Sequence, residues 1–301
     1  MRPERAIGVD VGGTKILAGH VSRDGTIGRT RAVPSPNGSE EELLAALDEV
    51  VEGLLEDGVA AVGYGVPSNL DRRTGRALRA VNLPIDDVDF VGRGRERFGL
   101  PVGVENDANA AALAEWRLGA GRGATNLVML TLGTGVGGGL VLDDRLYRGW
   151  AELGHVVVQA GGLPCPGNCH GRGHLEAVAT GIAADRAAVE LWGEGADARR
   201  LVAAAQDADE PAIAALAAIG ELLGAAVGSF VNMFDPDLVV VGGGFGAAAG
   251  ELVLEPARSA ASREALAPAD ARIRIVQAQL GEDAGLIGAG LVGFEALAGE
   301  R

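Results

Sequence analysis

NLVMLTLGTGVGGGLVL at residues 126–142 repeats the pattern of AIGVDVGGTKILAGHVS at residues 6–22. Each stretch reads as a strand, a glycine turn and a second strand returning, because short apolar runs bounded by glycine mark buried strands and tight turns. Asp10 ends the first strand of the earlier copy and Gly12-Gly13-Thr14-Lys15 forms its turn. Leu132-Gly133-Thr134-Gly135 takes the same place in the later copy. A hairpin turn follows each, SRDG at 22–25 and LDDR at 142–145. A repeat spaced by roughly 120 residues points to a duplicated α/β domain rather than to a solenoid of short units. Glycine lets backbone N–H groups approach a phosphate, and Thr14 adds a hydroxyl donor. One such turn fits an ordinary hairpin. Two, one per copy, suit a polyphosphate held between them.

Between and after the copies the pattern alternates. Residues 40–57 carry apolar side chains at helical spacing, and residues 59–66 read as a buried strand ending in a turn, PSNLDRRTG, at 67–75. A short strand ends at Glu105 and an alanine-rich helix begins near Asp107. Asn106 or Asp107 serves there as a plain helix cap or as an active-site group, the strand–helix junction of an open α/β sheet suiting both. Residues 177–230 are mostly helical, with a buried helix at 215–234. The strand LVVV at 238–241 then delivers Gly242-Gly243-Gly244, a tight turn or a close-approach surface for a flat ligand such as an adenine–ribose. The apolar, glycine-spaced stretch at 282–299 is expected to be a helix packing back on the first copy.

The densest chemistry lies in ELGHVVVQAGGLPCPGNCHGRGHLE, residues 152–176. It holds both cysteines of the chain and three of its four histidines. His155, Cys165, Cys169 and His174 make a Cys2His2 set for a structural zinc ion, with His170 as a competitor for one position. A small-loop disulfide or a pair of free thiols also fits two cysteines four apart, but the concentration of histidine favours metal. The spacing is not that of a DNA-reading finger. Glu152 and Glu176 bracket the cluster, so a pinned loop would aim two carboxylates at whatever binds beside it.

A formal charge of −15 and a pI near 4.7 argue against a nucleic-acid surface. Glycine supplies 48 of 301 residues, more than twice the usual share of about 7%. No secretory signal or long uninterrupted apolar run is read from the sequence, and a cytoplasmic protein with no membrane partner is expected.

Together DVGGTK at 10–15, VENDANAAALAE at 104–115, LGTGVGGG at 132–139, ELGH at 152–155, CPGNC at 165–169, GHLEAVATG at 173–181 and DPDLVVVGGG at 235–244 resemble the ROK family of sugar kinases and repressors. The likeness spans nearly the whole chain and looks nearest to the bacterial glucokinase branch. It implies two actin-like (ribonuclease H-like) α/β domains with an interdomain cleft. The small domain would be residues 1–115 plus a C-terminal helix at about 284–301, and the large domain, with the zinc loop, residues 116–283. The implied reaction is transfer of the ATP γ-phosphate to a hexose C6 hydroxyl. Asp107 would match the catalytic base, and Asn106, Glu152, His155 and Glu176 the sugar contacts. Gly12, Gly13, Thr14, Gly133, Thr134 and Gly135 would match the phosphate loops, Gly242 and Gly243 the nucleoside site, and Asp10 the neighbour of Mg2+. Lys15 is expected in a secondary role, since this is no Walker sequence. A homodimer or homotetramer follows from family habit.

Two departures bear on these expectations. His174 stands where the family usually has cysteine, which keeps a competent zinc ligand. The family's Gly-x-Pro-Gly loop reads Gly65-Val66-Pro67-Ser68 here, so Ser68 and Asn69 are expected to face the sugar and to bear on its identity. N-acetylmannosamine, N-acetylglucosamine, mannose or fructose are the alternative substrates, and polyphosphate the alternative donor. A repressor would carry a DNA-binding segment before the turn that begins at Asp10, and a binding-only protein would not need Asp107. Both are disfavoured.

Overall fold

The computed structural model describes residues 4–80 and 82–299. The chain divides into two compact units. The first takes residues up to Leu118, the segment Leu146–Trp150 and everything from Asp283 onward. In its N-terminal part lie β1 (Arg5–Val11), β2 (Lys15–Ser22), β3 (Ile27–Pro34), α1 (Glu40–Glu52), β4 (Val59–Val66), β5 (Ser68–Leu70), β6 (Ala77–Ala80), β7 (Asp86–Val88), α2 (Phe90–Phe98), β8 (Val102–Asn106) and α3 (Asp107–Leu118). The second unit, Gly119–Arg145 and Ala151–Glu282, holds β9 (Leu127–Leu132), β10 (Val136–Leu142) and the start of β11 (Arg145–Leu146). It continues with α4 (Leu175–Val178), α5 (Gly181–Trp192), α6 (Ala198–Gln206), α7 (Glu210–Phe234), β12 (Leu238–Gly242), α8 (Gly244–Ala249), α9 (Glu251–Glu264) and β13 (Ile275–Gln277). The final helix, α10 (Ala284–Ala298), belongs to the first unit. Residues 300 and 301, the end of the helix expected from sequence, lie outside the described residues.

The two main sheets share one plan, β3-β2-β1-β4-β8 and β11-β10-β9-β12-β13. In each, the strand entering the glycine turn pairs antiparallel with the strand leaving it and parallel with the next strand of the fold. Thus β1 lies between β2 and β4, and β9 between β10 and β12. The repeat visible in the sequence is a repeat of topology.

Local expectations needed three adjustments. The stretch 67–75 is not all turn: Ser68–Leu70 is a strand paired antiparallel with β6, and the turn is confined to Asp71–Gly75. Helix α1, capped by the Ser39 side chain accepting from Glu42 N–H, stops at Glu52 rather than residue 57, with Gly53 N–H closing on Glu49 O. Leu54 is buried beyond that stop and continues the apolar pattern. Helix α7 starts at Glu210, before the expected residue 215, because Asp209 caps it by accepting from Ala212 N–H.

A row of glycines fixes where α10 lies. Gly19, Gly8, Gly63 and Gly103 are partners across β2, β1, β4 and β8. A Cβ at Gly8 would stand 2.3 Å from Leu286 O, one at Gly63 1.9 Å from Ala289 O, and one at Gly103 2.6 Å from Val292 O. The three carbonyls are three residues apart, a rise of about 4.5 Å, close to the strand spacing of about 4.8 Å. The helix therefore crosses the strands and sets one carbonyl on each, backbone against backbone. Its own Gly290 and Gly293 accept Val21 and the Val62–Gly63 backbone in the same manner.

The second unit uses the same device between helices. Gly220 and Gly224 of α7 press on Val253 O and Ala257 O of α9, and Gly228 on the side chain of Glu264. Among the described residues α7 alone is long and apolar enough to cross a membrane by length and composition. Its face with Leu216, Leu223, Val227 and Phe230 forms part of the unit's core.

Overpacking a close contact costs about 1–3 kcal/mol. Gly63→Ala is therefore expected to destabilise the protein by about 2–3 kcal/mol in urea denaturation. Gly75→Ala, at φ +73° with nothing within 4 Å, should cost about 1–2 kcal/mol through backbone strain alone.

Candidate active site and metal centre

In the first unit, the turn after β1 is tight and braced. Gly12 N–H donates to Lys15 O at 3.0 Å, Ser35 Oγ donates to Gly12 O at 2.6 Å, and Ser35 N–H donates to Thr14 O at 3.1 Å. Gly13, Thr14 and Lys15 are exposed at its tip. Ser35 escaped the sequence reading, as a lone serine in a polar loop gives no signal. Asp10, next to last in β1, lies against the first turn of α10, where a Cβ at Gly285 would lie 2.8 Å from its Oδ2. Burial raises the pKa of Asp10 above the ordinary carboxylate value, and Lys15 pulls it the other way.

At the end of β8 the cap and the neighbouring acid are distinct residues. Asn106 Oδ1 accepts from Ala108 N–H at 3.0 Å and Asn109 N–H at 3.1 Å, so Asn106 is the cap. Asp107 is the first residue of α3, its Oδ1 accepting from Ala108 N–H at 2.8 Å. Asn106 Nδ2 reaches Ser68 O at 3.5 Å. The structure thereby brings Ser68, Asn69, Asn106 and Asp107 to adjacent strand ends, β5 following directly on β4, the parallel neighbour of β8. Ser68 is buried, with its hydroxyl turned to Asn69 O.

In the second unit the Gly133–Gly135 turn is held at three points. Gly133 N–H donates to Gly135 O at 2.9 Å, Gly181 N–H donates to Gly133 O at 2.9 Å, and Val136 N–H donates to Glu176 Oε2 at 3.0 Å. Thr134 is exposed at the tip. Gly242 and Gly243 lie beside this turn. Gly243 has φ +82°, and a Cβ there would stand 2.4 Å from Leu132 O, so no other residue fits without moving β9.

The metal loop of the same unit gathers its four expected ligands. One ligand atom from each of His155, Cys165, Cys169 and His174 lies within 4.8 Å of all the others. His155 Nδ1 is 3.3 Å from His174 Nδ1, Cys165 Sγ 3.6 Å from His155 Nδ1, and Cys169 Sγ 3.5 Å from His174 Nδ1. A tetrahedral zinc with usual bond lengths sets N–N edges of about 3.3 Å and N–S edges of about 3.5–3.6 Å. The donor set therefore fits zinc in both chemistry and size. Both cysteines are free thiols, and His170 is exposed outside the group. Burial, then Cys169 and Glu176, push the Cys165 thiol up to about 12, a penalty on the thiolate that a bound cation would reverse. The loop is shaped by isolated bridges, Val157 with His174 and Pro164 with Arg172, and Gly171 N–H donates to Cys169 Sγ at 3.4 Å. Glu152 is exposed at the mouth of the turn Leu153–His155. Glu176, by contrast, is tied in, with Oε1 3.9 Å from Cys165 Sγ and Oε2 on the glycine turn.

A sequence model of the ROK family matches residues 6–293. The chain belongs to the ROK family. Among ROK relatives, the glucokinase of Thermotoga maritima is 37% identical, the match covering 98% of this chain and 99% of that one. The glucokinase of Streptomyces coelicolor is 35% identical, with 94% and 95% covered. The crystal structure of a ROK family glucokinase from Streptomyces griseus in complex with glucose and AMPPNP superposes with a TM-score of 0.83. It shares 35% identity and covers 97% of this chain and 99% of that one.

Elemental analysis of the purified protein is expected to give about one zinc per chain. His174→Ala should lower it at least about tenfold, as loss of one of four ligands does, while His170→Ala should leave it unchanged. Zinc retained in full by His174→Ala would remove that residue from the set.

Proposed function

We propose that this chain transfers the γ-phosphoryl group of ATP to the C6 hydroxyl of a hexose, glucose before other sugars. The observation that carries the proposal is similarity to glucokinases over nearly the full length of both partners, in sequence and in solved structure. The local chemistry supports it. A sugar hydroxyl is a weak nucleophile, and Asp107 at the strand–helix junction would accept its proton as the bond to phosphorus forms. Asn106 caps α3 by accepting from Ala108 and Asn109 N–H, and Asp107 Oδ1 shares the Ala108 N–H.

Ser68, Asn69 and Asn106 would contact the hexose, as would Glu152, His155 and Glu176. His155 turns Nδ1 to the metal ligands, so its contact with sugar falls to Nε2, a donor when Nδ1 holds a cation. Glu176 has one oxygen on the Val136 N–H, so its sugar contact falls mainly to the other. Carboxylates select among hexoses because a misplaced hydroxyl leaves them unpaired. The exposed tips at Gly13-Thr14 and Thr134 would meet phosphates, and Gly242-Gly243 the nucleoside. Asp10 would sit beside magnesium, whose site needs few carboxylates when phosphates complete the shell. Magnesium, when bound, neutralises charge on the transferring group. Lys15, exposed on β2, has no assigned contact with phosphate.

ADP release from Mg-ATP is the direct test, with glucose, mannose, fructose, N-acetylglucosamine and N-acetylmannosamine as acceptors. Glucose should dominate the panel. Asp107→Asn should fold and bind glucose yet lose about 10³-fold or more in kcat. Near-normal turnover by that variant would remove Asp107 from the base role, and a preferred N-acetyl sugar would move the substrate assignment to the Ser68–Asn69 edge.

A further inference from the structure

Glu105 is a buried carboxylate that the proposed chemistry does not use. Its side chain is 3% exposed, and it directly precedes the sugar-binding and catalytic pair proposed above. Oε1 accepts from Asn106 N–H at 3.1 Å and from Asn109 Nδ2 at 3.2 Å. Oε2 accepts from Arg148 Nε at 3.0 Å. One carboxylate thus fixes the peptide of Asn106 on one side and an arginine on the other. Asn109 is buried too, and its amide oxygen has no hydrogen-bond partner, so its bond to Glu105 decides which way the amide faces.

Arg148 comes from the short segment Leu146–Trp150, which the chain contributes to the first unit between two stretches of the second. Its guanidinium also meets Glu295 of α10 at 2.5 Å. It therefore joins the end of β8 to the helix that covers the sheet. The same segment is fastened to the Ser68–Leu70 hairpin. Arg72 Nε donates to Arg148 O, the Arg72 guanidinium lies 4.9 Å over the Tyr147 ring, and Trp150 Nε1 donates to Leu70 O at 3.5 Å.

We infer that Arg148 is a positioning residue, holding the Asn106–Asp107 end of β8 in register through the buried carboxylate of Glu105. The inference rests on the kinase reading for its effect on turnover. Removing one partner of a buried ion pair leaves an uncompensated charge, whereas replacing both is far milder. With Arg148 gone, the Glu105 carboxylate loses the guanidinium that holds Oε2, and a readjustment of that carboxylate moves the Asn106 peptide it accepts from. A shift of about 1 Å in a reacting group can cost about 10²-fold in rate.

The test compares wild type, Arg148→Gln and the pair Glu105→Gln with Arg148→Gln, each confirmed as folded by circular dichroism below its melting transition. Arg148→Gln should lose about ten- to a hundredfold in kcat for glucose with KM for ATP within about twofold. The double variant should recover most of the loss. Hydrogen–deuterium exchange of the peptide covering residues 102–110 should quicken in Arg148→Gln and return in the double variant. A variant that only melts earlier, with kcat and exchange unchanged, overturns the inference, as does a double variant no better than the single one. Silence of the wild type on every sugar would instead defeat the kinase reading, and the exchange data alone would then decide the role of Arg148.

Discussion

The first unit depends on the absence of side chains along one line. Four strands place glycine side by side, and a helix built with glycine at matching intervals lies on them so closely that helix carbonyls rest on strand backbone. A Cβ at Gly8, Gly63 or Gly103 must displace a helix carbonyl rather than a flexible side chain. The gain is proximity. The helix start reaches Asp10 and the helix body reaches Ala110 of α3, where a Cβ at Gly288 would stand 1.9 Å from Ala110 O. The strand carrying Asp10 and the helix that begins at Asp107 are therefore tied to a single element. In the second unit the corresponding role falls to Glu176, which joins the metal loop to the Gly133–Gly135 turn.

How much of this was legible follows from where each cause resides. The paired strand–turn–strand units were readable because their signal is local, with apolar strands flanking glycine and Asp10 or Leu132 at the turn. The gathering of His155, Cys165, Cys169 and His174 was readable because histidine and cysteine are scarce elsewhere, and leaving His170 outside that group required only the loop's path. The glycine row was only half visible. Glycine in a strand reads as a weak point or a bulge, and the helical partner at 284–298 was recognised without the line of contact it follows. β5 was missed because three residues pair with a strand only the fold brings near. Arg148 was invisible for the same reason, since its partners lie 43 and 147 positions away.

The division of duties at the β8–α3 junction shows why motif residues resist assignment from sequence. A polar pair at a helix start satisfies backbone N–H groups whether or not it does chemistry. Only geometry separates the two, giving the cap to Asn106 and leaving Asp107 with the first turn of the helix. The metal loop resolves a similar ambiguity. His155 turns Nδ1 to Cys165 Sγ and His174 Nδ1, and the exposed His170 stands outside that group.

The discontinuity of the first unit bears on the order in which the molecule can be completed. Its sheet is finished when residue 106 has been made, yet the helix that covers it comes at residues 284–298. At about 5–20 residues per second, a nascent chain carries that apolar sheet face uncovered for roughly 10–40 seconds while the whole second unit emerges. The ribosome therefore delivers an unfinished first half, open to chaperones or to stray partners, and α10, made only after the second unit, closes it. A chain broken off early would be a half-built unit rather than a smaller working one.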